Sequence, residues 1–350
     1  YGKNIMDKLI QNFFQASSHQ EVSKVPLALI ADSPWIPGFA GIDTLDYYLD
    51  QKKWFEINLN LRERFPEVVW VPGFWWEYGM AIEASAFGSR IIFHHDQPPS
   101  MEPISTDLQF WKNKTKVRDP EKDGLMPLAL RQIERSDHEL QSYGLGQHIA
   151  SSRGILTVTS WFMGVTTLME SLLSAPDDII PILEVVTDTI ILWLEAQLKR
   201  MREPKGILLL DDLIGMISKR VYLRIVDPLF RKIWDHFDGY VKIYHNDTSC
   251  EHLYPVLAET GFDVFNFSDK TDIGTARQLM GKQIVLMGNV APRDIGALGT
   301  PEQVYRAAWN CLEKTNGEGL ILSFGGGISP GTPAENIDSM IKALNDWYKR

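Results

Sequence analysis

The sequence predicts an α/β fold, a (β/α)8 TIM barrel with an N-terminal helical extension. Three observations predict it. From Lys24 onward, short apolar runs alternate with helical periodicity. Eight such runs occur, and most are β-branched and apolar on both faces, as strands covered by helices should be. Polar residues gather just past the ends of several of these runs, where barrel enzymes carry their chemistry.

The elements follow in order. Residues 4–16 read as an amphipathic helix and, with the polar loop after it, make residues 1–24 the extension. Residues 25–350 form the barrel, with strands expected at 25–31, 68–72, 155–159, 207–210, 241–244, 264–267, 284–287 and 320–324. A further short run, 90–94, reads as a hairpin arm outside the ring, and 107–124 as a surface excursion. Thr300-Pro-Glu-Gln303 and Thr332-Pro-Ala-Glu335 look like capping boxes. In each, a Thr hydroxyl accepts from a free backbone N–H and Pro opens the helix. Ser174-Ala-Pro-Asp177 looks like a similar start for a helix running to about residue 202.

Composition narrows the function. The net charge is −10 and no basic stripe is present, which argues against nucleic acid and anionic membrane surfaces as partners. The apolar stretch 179–198 is broken by Pro181, Glu184, Asp188 and Glu195 and reads as a buried helix, not a membrane span. Only Cys250 and Cys311 are present, so neither a disulfide framework nor a thiolate-rich metal site is expected, and a reducing cytoplasm is the natural location.

The candidate site residues sit at strand exits. Asp32 follows the first run, and Trp75, Trp76 and Glu77 follow the second. Asp211 and Asp212 follow 207–210, His245, Asn246 and Asp247 follow 241–244, and Asn289 follows 284–287. Of the Asp211–Asp212 pair, either one carboxylate caps the next helix while the other is solvated, or one enters the pocket as an acid or base. His245 and Asp247 alternate along one strand exit and point the same way. They suit an ordered polar network, a catalytic pair, or a metal site, although two ligands fall short of the usual three. The glycine-rich turn after 320–324, with Gly325 and Gly326, offers backbone N–H groups to an anion. Trp75, Trp76 and Trp161 are candidate apolar walls. His94-His95 is read as structural.

Four stretches, in order, carry a resemblance. They are 209–218 (Leu-Leu-Asp-Asp-Leu-Ile-Gly-Met-Ile-Ser) followed by Pro228, and Tyr244-His-Asn-Asp247 with the later Glu259-Thr-Gly-Phe-Asp263. Then come Met287-Gly-Asn-Val290 with the helix start at Thr300, and 322–336, which contains Gly325-Gly-Gly327. Together they make the chain resemble the uroporphyrinogen decarboxylase superfamily. Glu77-Tyr-Gly79, Glu83 and Phe87-Gly88 look like its corrinoid-linked methyltransferase branch. The resemblance implies one of two activities at the barrel mouth. One is cofactor-free decarboxylation of porphyrinogen acetates, and the other is methyl transfer between a small methylated substrate and a corrinoid protein or a thiol.

Departures from the pattern choose between these. The decarboxylases carry an Arg-rich N-terminal stretch, a His in the last strand's turn and a pocket Tyr. Here 31–38 holds no Arg, Gly326 occupies the His position, and 160–165 (Ser-Trp-Phe-Met-Gly-Val) offers no clear Tyr. A polyanionic porphyrinogen needs cations these positions lack. The zinc-dependent methyltransferases bind metal through His, Cys and Cys. Here His245 remains, Asp247 stands at the first Cys position and Gly326 at the second, so zinc is not expected, and His245 and Asp247 are at most weak metal candidates. The expectation is therefore transfer of a methyl group from a small, flat substrate such as a methoxylated aromatic to cobalamin on a partner protein. No tightly bound cofactor is expected. Asp211, Asp212, Glu77, His245 and Asp247 are the candidate acids or bases, with Asn246 and Asn289 among the substrate contacts. A decarboxylase of a different acid and a metal-dependent barrel hydrolase stay open, and family precedent leaves room for a homodimer.

Overall fold

Eight parallel strands run in one sheet. They are β1 (Leu27–Ile30), β2 (Val68–Val71), β5 (Ile149–Arg153), β6 (Gly206–Leu210), β7 (Val241–Asn246), β8 (Val264–Phe267), β9 (Val285–Val290) and β10 (Leu320–Phe324), and a hairpin of β3 (Arg90–Ile92) and β4 (Ser100–Glu102) stands apart. The computed structural model describes residues 2–350, with side chains from Lys8 onward. The ladder order is β2-β1-β10-β9-β8-β7-β6-β5, which leaves β2 and β5 at the one junction without ladder bonds. Helices lie between successive strands, the connection that parallel pairing demands.

The strands form because their apolar residues are buried on both faces; β1, β2, β6 and β8 have every residue buried. Alternate residues separate the two faces. Ala28 and Ile30 of β1, Val69 and Val71 of β2, Leu208 and Leu210 of β6 and Ile243 of β7 belong to one interior cluster. Their neighbours Leu29, Trp70, Leu209 and Tyr244 pack outward against the helices. The N-terminal helix Gly2–Ser17 brings Phe13 and Ala16 into the interior cluster and so plugs the barrel floor. Burying a Phe fully contributes about 1.5–3 kcal/mol, so this plug is a substantial part of barrel closure.

One expected strand is wrong. Residues 155–159 lie in the helix Ile155–Met163, and the third barrel strand is β5, six residues upstream of the expected start. Ser151, Ser152 and Arg153 hid it, because they break the apolar run. Two helix starts also differ. Thr300 makes its capping box with Gln303. Thr332 instead donates its hydroxyl to the Ser329 carbonyl, and the helix Ala334–Trp347 has no side-chain cap. Ser174 donates back to Glu170, and the helix Pro176–Leu198 opens without a cap. That helix is largely buried, and no single helix in the described residues is long and apolar enough to cross a membrane.

Candidate active site

The period-2 alternation of the strands sorts the polar residues at the barrel mouth into two sets. Counting on from the interior residues Ile30, Ile149, Leu210 and Ile243 places Asp32, Arg153, Asp212, His245 and Asp247 on the inward side. The same count places Asp211, Tyr244 and Asn246 on the outward side.

The inward set is electrostatically strained. Burial pushes Asp32 up to about 7, with Glu77 and Asp247 adding to the rise and Arg153 opposing it. Glu77 is raised by burial, although it accepts from the Ser33 and Met80 N–H groups at 3.1 and 3.2 Å. Glu83 is also raised by burial; it anchors the end of β5 by accepting from the Arg153 N–H at 2.9 Å and the Ser152 hydroxyl at 3.1 Å. Asp247 is raised by burial and by Asp212, against the pull of His245 and Arg153.

His245 is 5% exposed and held in one tautomer. Asn266 donates its amide to the carbonyls of Met287 (2.8 Å) and Phe324 (3.0 Å), which leaves its Oδ1 to accept from His245 Nδ1 at 2.7 Å. A neutral imidazole so held presents the Nε2 lone pair to the mouth. Nε2 faces Asp212 Oδ1 at 3.6 Å and Asp247 Oδ2 at 4.0 Å, and Asp212 Oδ1 also accepts the Asp247 N–H at 3.1 Å. One donor atom from each of these three residues lies within 4.8 Å of the others, which is the convergence a divalent cation needs.

Three of the expected site residues do other work. Asp211 is fully buried and caps the helix Ile155–Met163 from the adjacent strand. Its Oδ2 accepts from Leu156 N (2.8 Å), and its Oδ1 from Thr157 N (3.1 Å) and the Thr157 hydroxyl (2.8 Å). Burial pushes it up to about 7 while these bonds pull it down, but it faces away from the mouth. Gly154 is glycine because a Cβ there would fall 2.3 Å from the Asp211 Cβ. Asn246 spends its amide on the Asp211 carbonyl and the Tyr244 hydroxyl, and its Oδ1 on Thr248. Asn289 donates to the carbonyls of Ser268 and Thr271, tying down the loop after β8.

The tryptophans divide as well. Trp76 is buried, stacks on Trp54 at 3.8 Å and donates to Ser136, so it is core and not pocket wall. Trp75 is half-buried and packs on the interior cluster, with the Arg153 guanidinium 5.0 Å above its ring. Trp161 is half-buried in the helix that starts beside Arg153. Gly326 lies against Asp247, whose Cβ and Oδ2 would sit 3.2 Å from an added Cβ. Gly325 approaches the Asp269 backbone too closely for any side chain.

Arg153 was invisible in the sequence because its strand was misplaced. The thiolate zinc site of the superfamily does not fit these residues. Asp247 and Gly326 stand at its two sulfur positions, and Cys250 and Cys311 are buried in the core.

Comparisons with known proteins agree with this architecture. The profile of the uroporphyrinogen decarboxylase (URO-D) family matches residues 9–347. A methylated-thiol–coenzyme M methyltransferase of Methanosarcina mazei is 24% identical over 277 residues, covering 77% of this chain and 71% of that protein. The uroporphyrinogen decarboxylase of Coxiella burnetii (strain Dugway 5J108-111) is 27% identical over 188 residues, about half of either chain. A solved methyltransferase from Methanosarcina mazei superposes with a TM-score of 0.83 over 97% of this chain and 99% of that one at 19% identity, which establishes the shared fold.

Proposed function

Because the chain belongs to the uroporphyrinogen decarboxylase family, we propose that it moves a methyl group from a small methylated substrate to the corrinoid of a partner protein at the barrel mouth. The observation that carries this is Asp32. Burial and the neighbouring Glu77 hold its carboxyl near 7, so a proton donor is available at neutral pH where an acidic cup meets a tryptophan face. Methyl transfer from an ether or amine needs such a donor, because an unprotonated alkoxide or amide is a poor leaving group. A relative named for methyl transfer supports the same choice.

The reduced corrinoid supplies the nucleophile and its electron pair as a co-substrate. In this chain, Trp75 forms the flat wall on which the substrate rests. Asp32 gives its proton to the heteroatom as the bond to the methyl carbon breaks and the bonding pair stays on that heteroatom. Glu77, pinned by two backbone N–H groups, keeps Asp32 protonated by charge repulsion. His245, with Nδ1 committed to Asn266, offers Nε2 as an acceptor that orients the substrate. The proton lost from Asp32 returns from solvent between turnovers.

The test mixes the purified protein with Co(I) corrinoid and a panel of methoxylated aromatics and methylamines. Loss of the reduced-corrinoid spectrum in the wild type, slowed in Asp32→Asn and His245→Ala, supports the proposal. A corrinoid spectrum unchanged across the panel sinks it.

The convergence of Asp212, His245 and Asp247 favours a second reading, a divalent-cation-dependent reaction of the hydrolase type. Metal analysis of the purified protein separates the two. Stoichiometric metal lost in His245→Ala supports the second, and methyl capture by chelator-treated protein supports the first.

A further inference from the structure

At the end of β5 a buried guanidinium lacks a partner among the described residues. Arg153 is 4% exposed, and its Nη2 is sealed from solvent without any acceptor. The backbone around it is fully tied. Its N–H donates to Glu83 Oε1, and its carbonyl accepts the Ser152 hydroxyl. The side chain is held only by the face of Trp75. Asp32, Glu77, Glu83 and Asp247 feel its charge from a distance, and none of them pairs with it. Two further orphan hydroxyls, Ser151 on β5 and Ser323 on β10, share the inward parity.

Buried ionised donors are almost always bonded in native proteins, because an unpaired one costs more than most folds tolerate. An orphan guanidinium at the mouth of a barrel therefore marks the place of an acceptor that arrives with the substrate. The fork of a guanidinium matches a planar carboxylate through two parallel bonds. The surroundings limit the charge. One cation among Asp32, Glu77, Glu83 and Asp247 accommodates one negative group, and a second would meet carboxylates. The same count disfavours a polycarboxylate substrate.

We propose that Arg153 is the specificity residue of this site, holding the single carboxylate of a flat methylated substrate that lies along Trp75. The proposal rests on the barrel mouth being the substrate site, as in the methyl-transfer reading, and it names the substrate class as a monoanionic acid. Ser151 and Ser323 are the next donors available to that substrate.

The experiment measures binding by calorimetry, with no corrinoid present, for acetate, benzoate and 4-methoxybenzoate and for the matched amides. Wild type, Arg153→Met and Arg153→Lys are compared. At least one acid should bind about tenfold or more tighter than its amide, since the carboxylate offers the guanidinium fork two charged acceptors where the amide offers one neutral one. Arg153→Met should erase that preference by weakening acid binding far more than amide binding, and Arg153→Lys should keep part of it. Amides that bind as well as acids, a preference that survives in Arg153→Met, or no binding by any acid would each overturn the proposal. The two ideas fail separately. Methyl capture from neutral donors alone, unaffected by Arg153→Met, would leave methyl transfer standing without this specificity. Arg153-dependent acid binding without methyl release would do the reverse.

Discussion

His245 donates its Nδ1–H to Asn266 Oδ1 across 2.7 Å, and Asn266 has no freedom to do otherwise, since its amide nitrogen is committed to two strand carbonyls. The imidazole is thereby oriented by a neighbour one hydrogen bond behind it. Nitrogen-15 spectra of the histidines should show His245 as the Nδ1–H tautomer at pH 8. Asn266→Ala should give a mixture of tautomers and at least a tenfold loss in turnover. It should also cost roughly 1–3 kcal/mol, because Met287 and Phe324 lose their donor. An Nε2–H signal in the wild type would refute the orientation.

Asp211 is a cap before it is anything else, and its mutants should read as stability variants. Asp211→Ala strands Leu156 N, Thr157 N and the Thr157 hydroxyl, for a cost of roughly 2–4 kcal/mol in urea unfolding. Asp211→Asn keeps one good acceptor and should cost about half as much on the same grounds. Gly154→Ala should destabilise the wild type by driving its Cβ into the Asp211 side chain, Cβ included, and should cost less in an Asp211→Gly background, which removes that Cβ with the carboxylate. Additive effects in that double-mutant cycle would argue against the contact.

These two aspartates show what the sequence could and could not reveal. Asp211 and Asp212 are adjacent and chemically identical, so composition cannot say which faces the mouth. Strand parity decides it, and parity needs a known register. The barrel itself was legible because β1, β2 and β6 to β10 are apolar on both faces. β5 was not, because it trades apolar residues for Ser151, Ser152 and Arg153 at the point where the site is built. The apolar run just after it, Ile155 to Val158, is the buried face of a helix and carries the same short-range signal as a strand. The misplacement hid Arg153, a buried cation set among the carboxylates of the mouth. Asn246 and Asn289 were correctly placed at strand ends, but loop closure consumed their amides, which no spacing rule announces.

Asp32 should govern the pH dependence. An unfolded aspartate titrates near about 3.9, and in the native chain Asp32 is pushed up to about 7. Between these values the native state holds a proton that the unfolded state has lost, so this group's contribution to stability falls as pH rises from about 4 through about 7. Asp211 adds a slope of the same sign. Asp32→Asn removes this group's contribution, so its stability relative to wild type should grow between pH 5 and pH 8 in denaturant melts. Methyl-transfer activity should decline above about pH 7 in the wild type, where the proton is lost, and that limb should be absent from the low residual activity of Asp32→Asn. A wild-type activity profile rising through pH 8 would exclude Asp32 as the donor.

Asp212 and Asp247 set stability against function. Asp212 raises the Asp247 carboxyl by like-charge repulsion, and both face His245 Nε2 within 4.0 Å. Asp212→Asn removes that repulsion and still leaves an Oδ1 to accept the Asp247 N–H. Both side chains are partly exposed, so screening keeps the gain small, about 0.5 kcal/mol at low salt and less in 0.5 M salt. The variant should therefore melt slightly higher than wild type at pH 8 while turning over more slowly. A bound divalent cation reverses the sign, because the carboxylates then attract a common charge and losing one lowers the melting temperature. Thermal melts of Asp212→Asn with added manganese or zinc, against melts with chelator, therefore report whether the pair stands as a strained acidic couple or as part of a metal site. A melting temperature raised in chelator and lowered with metal fits the metal site, and one raised equally in both fits the acidic couple.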